Sequence, residues 1–185
     1  MLIFFRTYTI DLRKGINKFR WWEYTFSSGV ITLLIAELFG FYDLNTLLAI
    51  FASNGCMTLF GLTFEVMNSN NRAAGRNKVD WQAFYYGVFA GLIPWVLIWF
   101  AVATGPTPRS GTLPWWVWAI LYSYVFMFAT FPTNMVLQYT QVLWWDNSRY
   151  PDMYNGGYYF GEKIYQILSL TTKSLLVWFV VTGAR

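Results

Sequence analysis

The segment of residues 164–182 reads IYQILSLTTKSLLVWFVVT, and it decides the fold class. Its length approaches the roughly 20 apolar residues that a helix needs to cross a bilayer. Lys173 is its only charged residue and lies nine positions from either end. Because a charge at the centre of a membrane helix costs at least about 2.5–3.5 kcal/mol, this lysine is a candidate functional residue.

The composition of the whole chain indicates the same class. Of 185 residues, 56% are hydrophobic, 22% are aromatic and only 12% are charged, whereas about a quarter of the residues in soluble domains are charged. Five segments approach the length of a membrane span: 21–40, 47–67, 84–104, 115–137 and 164–182. The sequence therefore predicts an all-α membrane protein whose five transmembrane helices form a single bundle over residues 1–185.

Lysine and arginine are distributed unevenly between the two sides of these spans. Because an excess of basic residues marks the cytoplasmic side, we expect a multi-pass protein of the cell membrane with a cytoplasmic N-terminus and an extracellular C-terminus. The opposite side has only Arg109 and Arg185. The net charge of +4 is then explained by topology, so we expect the lipid bilayer as a partner and no nucleic acid. The ten residues on the basic side are Arg6, Arg13, Lys14, Lys18, Arg20, Arg72, Arg76, Lys78, Arg149 and Lys163.

The residue types exclude several chemistries. The chain has no histidine and one cysteine, so a histidine-assisted nucleophile, a zinc site of the usual Cys and His type and an internal disulfide are excluded. No glycine-rich phosphate loop opens a helix, and no cluster of metal ligands occurs in the sequence. We expect a protein that is not an enzyme and that holds no metal.

Lys173 has two interpretations, and Glu23 is the nearest candidate counter-charge for both. The first is a structural ion pair that holds helices together. The second is covalent chemistry, because a lysine in apolar surroundings can lose its proton and condense with an aldehyde as a Schiff base. A protonated Schiff base is a buried cation and needs a carboxylate partner. Glu37 and Glu65 lie near span ends and are interpreted as solvated or interfacial carboxylates.

Helix geometry narrows the axial gap between Glu23 and Lys173. Both predicted helices run from inside to outside, and helical side chains lean towards the N-terminus, so the Lys173 amine leans towards the level of Glu23. We expect residues 8–17 to continue the first helix inward, apart from Gly15. We expect the hydroxyl groups of Ser27, Ser28 and Ser169 to lie near the two charges and to form a polar pocket.

Four segments resemble a known family, the heliorhodopsins, which are retinal-binding membrane proteins of inverted orientation with a cytoplasmic N-terminus. The resemblance runs from about Phe19 to Gly183. It is carried by WEY followed by paired serines and by the pattern SLxxKS on the last helix. The segments are similar to the third, fourth, fifth and seventh helices of the family: FRWWEYTFSSGVITLLIAELFG (19–40), LLAIFASNGCMTLFG (47–61), GLIPWVLIWF (91–100) and GEKIYQILSLTTKSLLVW (161–178).

The resemblance implies a light-sensing photoreceptor with all-trans retinal as its cofactor. Lys173 matches the lysine that holds retinal as a protonated Schiff base, and Glu23 matches its counterion. The resemblance also implies a homodimer and an unidentified signalling partner. The remaining positions that it implies are Ser28 and Ser169 near the Schiff base, and Asn54, Met57, Trp95 and Phe131 along the chromophore. Flat aromatic walls and a polarizable thioether suit the apolar polyene.

The five predicted spans correspond to helices three to seven of a seven-helix rhodopsin bundle. Nothing in the sequence matches the first two helices of the family. We therefore expect a partial bundle, and a fragment of a longer chain in preference to a natural truncation.

Other functions are weighed against the photoreceptor. A light-driven pump is disfavoured, because Ser169 and Leu34 occupy the positions where common pumps carry additional carboxylates. A light-gated ion or proton conductance stays open. So does a five-span transporter or scaffold without retinal, in which Glu23 and Lys173 form a pair and Pro94 and Pro132 mark broken helices.

Overall fold

The computed structural model describes residues 2–76, 78–104, 114–153 and 155–183, with side chains from Arg6 onward. Over these residues the chain is helical and contains no strand. Two short 3-10 helices, Leu143–Trp145 and Asn147–Arg149, lie between the last two α-helices. The six α-helices are α1 Leu2–Arg13, α2 Lys18–Leu38, α3 Leu44–Ala73, α4 Gln82–Thr104, α5 Trp115–Thr140 and α6 Gly156–Gly183.

The chain is divided into two compact units. The first is Met1–Gly105 with α1 to α4, and the second is Pro106–Arg185 with α5 and α6. A single bundle over residues 1–185 stays a prediction. The all-helical fold of a multi-pass membrane protein is confirmed, because α3, α4, α5 and α6 are each long and apolar enough to cross a membrane. Lipid must therefore surround these helices.

The first predicted span, residues 21–40, differs from the other four. It falls on α2, which has 21 residues but is not among the helices apolar enough to qualify as a span. Glu23, Glu37 and several serine and threonine residues reduce its hydropathy. A row of exposed apolar side chains nevertheless follows one side of the helix, namely Phe19, Trp22, Phe26, Val30 and Leu34. A membrane crossing by α2 stays a prediction.

The expected inward continuation of the first helix over residues 8–17 is wrong. Helix α1 ends at Arg13, and Gly15 adopts a φ of 75°, which is the left-handed region that glycine enters without steric cost. Asn17 then caps α2, because its side-chain oxygen accepts the Arg20 N–H at 3.2 Å. The chain therefore turns between α1 and α2, and Glu23 lies near the start of α2.

Close approach between α2 and α3 depends on glycine. Gly29 on α2 faces the ring of Phe51, and Gly61 on α3 faces the ring of Trp21. A Cβ atom at Gly61 would lie 2.3 Å from the Trp21 ring. Because real Cβ contacts are much longer, the indole ring occupies space that only glycine leaves open.

We expect Gly61→Ala to destabilise the protein by about 1–3 kcal/mol, because the added methyl overlaps the Trp21 ring. Gly55→Ala is the matched control on the same helix, since its Cβ would meet Thr25 at an ordinary 3.5 Å. Thermal unfolding in detergent checks both variants. Equal melting temperatures for the two variants would contradict glycine-dependent packing between α2 and α3.

Helices α5 and α6 are joined by hydrogen bonds that run along their antiparallel contact. Tyr124 Oη donates to the Thr172 carbonyl at 2.5 Å, and Tyr165 Oη donates to the Phe131 carbonyl at 3.3 Å. Further along, Asn134 Nδ2 donates to the Gly161 carbonyl and Gln138 Nε2 to the Tyr158 carbonyl. These bonds fix the register of α6, and therefore the level at which Lys173 lies.

Candidate functional site

Lys173 lies in the C-terminal half of α6 and is half-buried. It is ten residues from the end of the helix at Gly183, which corresponds to about 15 Å, or half of a hydrocarbon core of roughly 30 Å. The neighbouring Thr172 carbonyl accepts the hydrogen bond from Tyr124. Ser169 is also half-buried and lies one turn earlier on the same face. The contact with α5 therefore fixes the level of Lys173 along α6.

Phe131 belongs to the same unit as Lys173. Its ring centroid lies 6.1 Å from that of Tyr165, whose hydroxyl also binds the Phe131 carbonyl. Tyr165 precedes Lys173 by eight residues on α6, which is about 12 Å along the axis. The aromatic pair therefore lies about two turns away, on the side towards which the lysine side chain leans.

Ser28 and Asn54 are brought together between α2 and α3. Asn54 Nδ2 donates to Ser28 Oγ at 2.7 Å, and Ser28 Oγ donates to the Tyr24 carbonyl at 2.6 Å. Asn54 is only 3% exposed, so the bond satisfies a buried amide. Glu23 is exposed and lies about 140° around the helix from Ser28. Within the first unit, the carboxylate and the Ser28 hydroxyl therefore occupy different faces of α2.

Met57 and Trp95 lie on the helices that pack at the α3–α4 contact. Met57 is half-buried, and a Cβ at Gly87 of α4 would lie 3.3 Å from its carbonyl oxygen. Trp95 is buried, at 8% exposure, directly after Pro94. Ser53 Oγ donates to the Ala90 carbonyl at 2.7 Å and joins the same two helices. This contact fixes the backbone of α3 at Met57 relative to α4, the helix that contains Trp95.

The eight residues expected at the site are divided between the two units. Glu23, Ser28, Asn54, Met57 and Trp95 belong to the first unit, and Phe131, Ser169 and Lys173 belong to the second. Within its unit, each group has the local structure described above. The pairing of Glu23 with Lys173 stays a prediction.

A buried ion pair in the first unit was not predicted from the sequence. Glu65 is fully buried, and its carboxylate pairs with the guanidinium of Arg20, which is 8% exposed. Its second oxygen accepts the Asn17 N–H at 2.9 Å. The interpretation of Glu65 as a solvated or interfacial carboxylate is therefore wrong. Arg20 also lies 4.7 Å from the ring centroid of Trp21, a distance at which a cation and an aromatic face attract.

Helical spacing is the sequence signal that could have found this pair. Small and polar residues recur on α3 at intervals of three and four, and all of them are buried: Asn54, Thr58, Gly61, Glu65 and Asn68. Such spacing places Glu65 on the face that α3 turns towards α2. Its angle around the helix, and not its distance from the end, determines its burial.

Comparison with known families gives a match over almost the entire chain, because the heliorhodopsin family model covers residues 1–184. The chain belongs to the heliorhodopsin family. Members of this family bind retinal and are photoreceptor-type membrane proteins, not typical enzymes. The resemblance inferred from the segments on α2, α3, α4 and α6 is thereby confirmed. Comparison with curated proteins gives no match.

The residues of this heliorhodopsin fit retinal by their chemistry. A primary amine is required for the covalent link, and Lys173 supplies one from the interior of a membrane helix. Trp95 and Phe131 offer flat apolar faces, and Met57 offers a thioether. Ser28 and Asn54 provide a fixed hydroxyl and amide that are already hydrogen-bonded to one another.

Proposed function

We propose that this heliorhodopsin is a light sensor in which Lys173 holds all-trans retinal as a protonated Schiff base and Glu23 is the counterion. One observation carries the proposal: Lys173 lies about 15 Å from the end of an apolar helix, in a chain that belongs to a retinal-binding family. Among residues 164–182 it is the only charged side chain. Bound retinal would supply absorption of visible light and photoisomerisation.

The residues of the chain hold and orient the cofactor. Glu23 would neutralise the cation at Lys173, because an unpaired charge in a low-dielectric interior is costly. The match of the segment WEY with its paired serines to the heliorhodopsin pattern supports this role. Ser28, Asn54 and Ser169 would keep fixed dipoles near the charge, while Met57, Trp95 and Phe131 would exclude water from the polyene.

A signalling or regulatory output is favoured over ion pumping. Ser169 lies one turn before Lys173, and Leu34 is exposed on α2, so neither position supplies a carboxylate for proton transfer. Helices α4 and α5 continue through Pro94 and Pro132, which argues against a transporter built on broken helices. The uneven distribution of basic residues supports a cytoplasmic N-terminus and an extracellular C-terminus in the cell membrane. A homodimer with a signalling partner completes the proposal.

The test of retinal binding is a visible absorption spectrum. The chain is expressed in membranes, all-trans retinal is added, and the purified protein is compared with the protein prepared without retinal. We expect a visible band that is absent without retinal and that is lost on bleaching with hydroxylamine, which attacks Schiff bases. A spectrum showing only free retinal would contradict the proposal.

Replacing the counterion is expected to change the colour. Glu23→Gln removes the negative charge, so the ground state of the cation loses its stabilisation and the band should move to longer wavelength. Glu37→Gln is the matched control, because Glu37 is an exposed glutamate on the same helix. Spectra recorded over a range of pH check both variants. If Glu23→Gln and Glu37→Gln gave the wild-type spectrum and titration, Glu23 would not be the counterion.

A further inference from the structure

The connection between α5 and α6 exposes large apolar side chains at its beginning. Val142 is 44% exposed, Leu143 is 61% exposed and Trp144 is 58% exposed. Later in the same connection, Met153 is 52% exposed. Exposing four such side chains to water is unfavourable. Their grouping in one connection therefore indicates contact with an apolar environment.

Hydrogen bonds to both helices hold this connection in place. Trp145 Nε1 donates to Asn134 Oδ1 on α5 at 2.9 Å, and Asn147 Oδ1 accepts the Gly157 N–H of α6 at the same distance. The Tyr150 hydroxyl donates to the Trp144 carbonyl at 3.1 Å. The exposed side chains are therefore presented by a fixed backbone.

A carboxylate orders the second half of the connection. The hydroxyl and backbone N–H of Ser148 donate to Asp146 at 2.6 and 2.9 Å. These bonds hold the pKa of the Asp146 carboxyl below its usual range, so it is ionised at neutral pH. The 3-10 turn that brings Arg149 back towards Trp144 begins at this residue.

Leu143 has an unusual backbone conformation. Its φ is 58°, in the left-handed region that bulky residues rarely adopt. Gln141, which ends α5, has a φ of 54°. Two left-handed residues so close together turn the chain sharply, and Leu143 remains among the most exposed leucines of the described residues. Backbone strain that leaves an apolar side chain exposed is more consistent with a function than with packing.

The lengths of the flanking helices indicate the depth of Leu143 in the membrane. Helix α5 has 26 residues and α6 has 28, so they measure about 39 and 42 Å. A bilayer with its headgroups is roughly 40–45 Å thick around a hydrocarbon core of about 30 Å. The residues directly after Thr140 therefore lie at headgroup level, where apolar side chains can reach the acyl chains.

We propose that Leu143 and Trp144 anchor this connection in the surrounding bilayer, at the boundary between headgroups and acyl chains. The Arg149 guanidinium lies 4.9 Å from the Trp144 ring centroid and binds a lipid phosphate from the same site. Tryptophan and arginine suit this boundary, because each has an apolar part and a hydrogen-bonding part. The anchor does not depend on retinal binding at Lys173.

Site-directed fluorescence tests the depth of the anchor. Cys56 is the only cysteine, so Cys56→Ser gives a background in which Leu143→Cys can carry a single environment-sensitive label. Asp152→Cys is the matched control from an exposed polar position of the same connection. Both proteins are placed in phosphatidylcholine and phosphatidylglycerol vesicles containing a shallow nitroxide-labelled lipid. Trp144→Cys provides a second anchor position if Leu143→Cys disturbs the left-handed turn.

We expect the nitroxide lipid to quench labels at positions 143 and 144 at least about twofold more than the label at position 152, as for side chains buried 5–10 Å into the interface. Aqueous iodide should quench them in the reverse order. Equal quenching by lipid at the three positions, or stronger iodide quenching at 143 and 144, would overturn the proposal. The latter result would instead indicate a surface open to water or to a soluble protein.

Discussion

Lys173→Ala is expected to abolish the visible band formed with all-trans retinal. Alanine has no amine, so no Schiff base can form at this position. The variant should nevertheless fold, because removing a charge from the middle of a membrane helix relieves a cost of about 2.5–3.5 kcal/mol. The measurement is the ratio of visible to protein absorbance in purified protein.

Lys163→Ala is the matched control for this experiment. Lys163 lies ten residues earlier on α6 and is exposed, whereas Lys173 is half-buried. We expect a wild-type spectrum from Lys163→Ala and no visible band from Lys173→Ala. A band that survived Lys173→Ala would contradict attachment at this residue, and its loss only in Lys163→Ala would assign attachment to the other lysine.

Glu65→Ala should produce the largest loss of stability among the carboxylate variants. The substitution leaves the Arg20 guanidinium buried without its counter-charge and removes the acceptor of the Asn17 N–H. Removing one partner of a buried ion pair typically costs about 3–5 kcal/mol. Thermal or denaturant unfolding in detergent measures the effect. Glu37→Ala is the control, because its carboxylate is exposed and its loss should change stability by no more than about 0.5 kcal/mol.

A double variant distinguishes a lost attraction from an unpaired charge. Arg20→Leu combined with Glu65→Leu removes both charges and keeps apolar volume, so we expect the double variant to be more stable than Glu65→Ala. Glu65→Gln keeps an oxygen that can accept the Asn17 N–H and should lie between wild type and Glu65→Ala. If Glu65→Ala were as stable as Glu37→Ala, the buried pair would contribute nothing to the fold.

Hydropathy predicted the spans well where apolar residues were continuous. Helices α3 to α6 are long and apolar enough to cross a membrane, as expected. Each has more residues than its predicted span, because hydropathy locates the hydrocarbon segment while caps determine the helix ends. Asp43, for example, begins α3 by accepting the Thr46 N–H at 2.8 Å. Helix α2 is less apolar than α3 to α6, because its charged residues reduce its mean hydropathy.

The limits of prediction from the sequence have physical causes at two residues. Glu65 lies near a span end, which alone indicates a solvated carboxylate, but its angle around α3 places it against Arg20. The left-handed backbone of Leu143 has no signal in the sequence, because leucine rarely adopts this conformation. Charge and helix geometry alone point to Lys173, Glu23 and the nearby serines, whereas Asn54, Met57, Trp95 and Phe131 follow only from the family resemblance. The hydrogen-bond partners of these residues depend on the fold.

The most direct test of retinal attachment is mass spectrometry after chemical trapping. The protein is loaded with all-trans retinal, reduced with borohydride to convert the Schiff base into a stable secondary amine, and digested. The account predicts a retinyl mass increase on the α6 peptide, with fragment ions that assign it to Lys173. A retinyl group on any other lysine, or an unmodified Lys173 peptide from protein that shows the visible band, would contradict it.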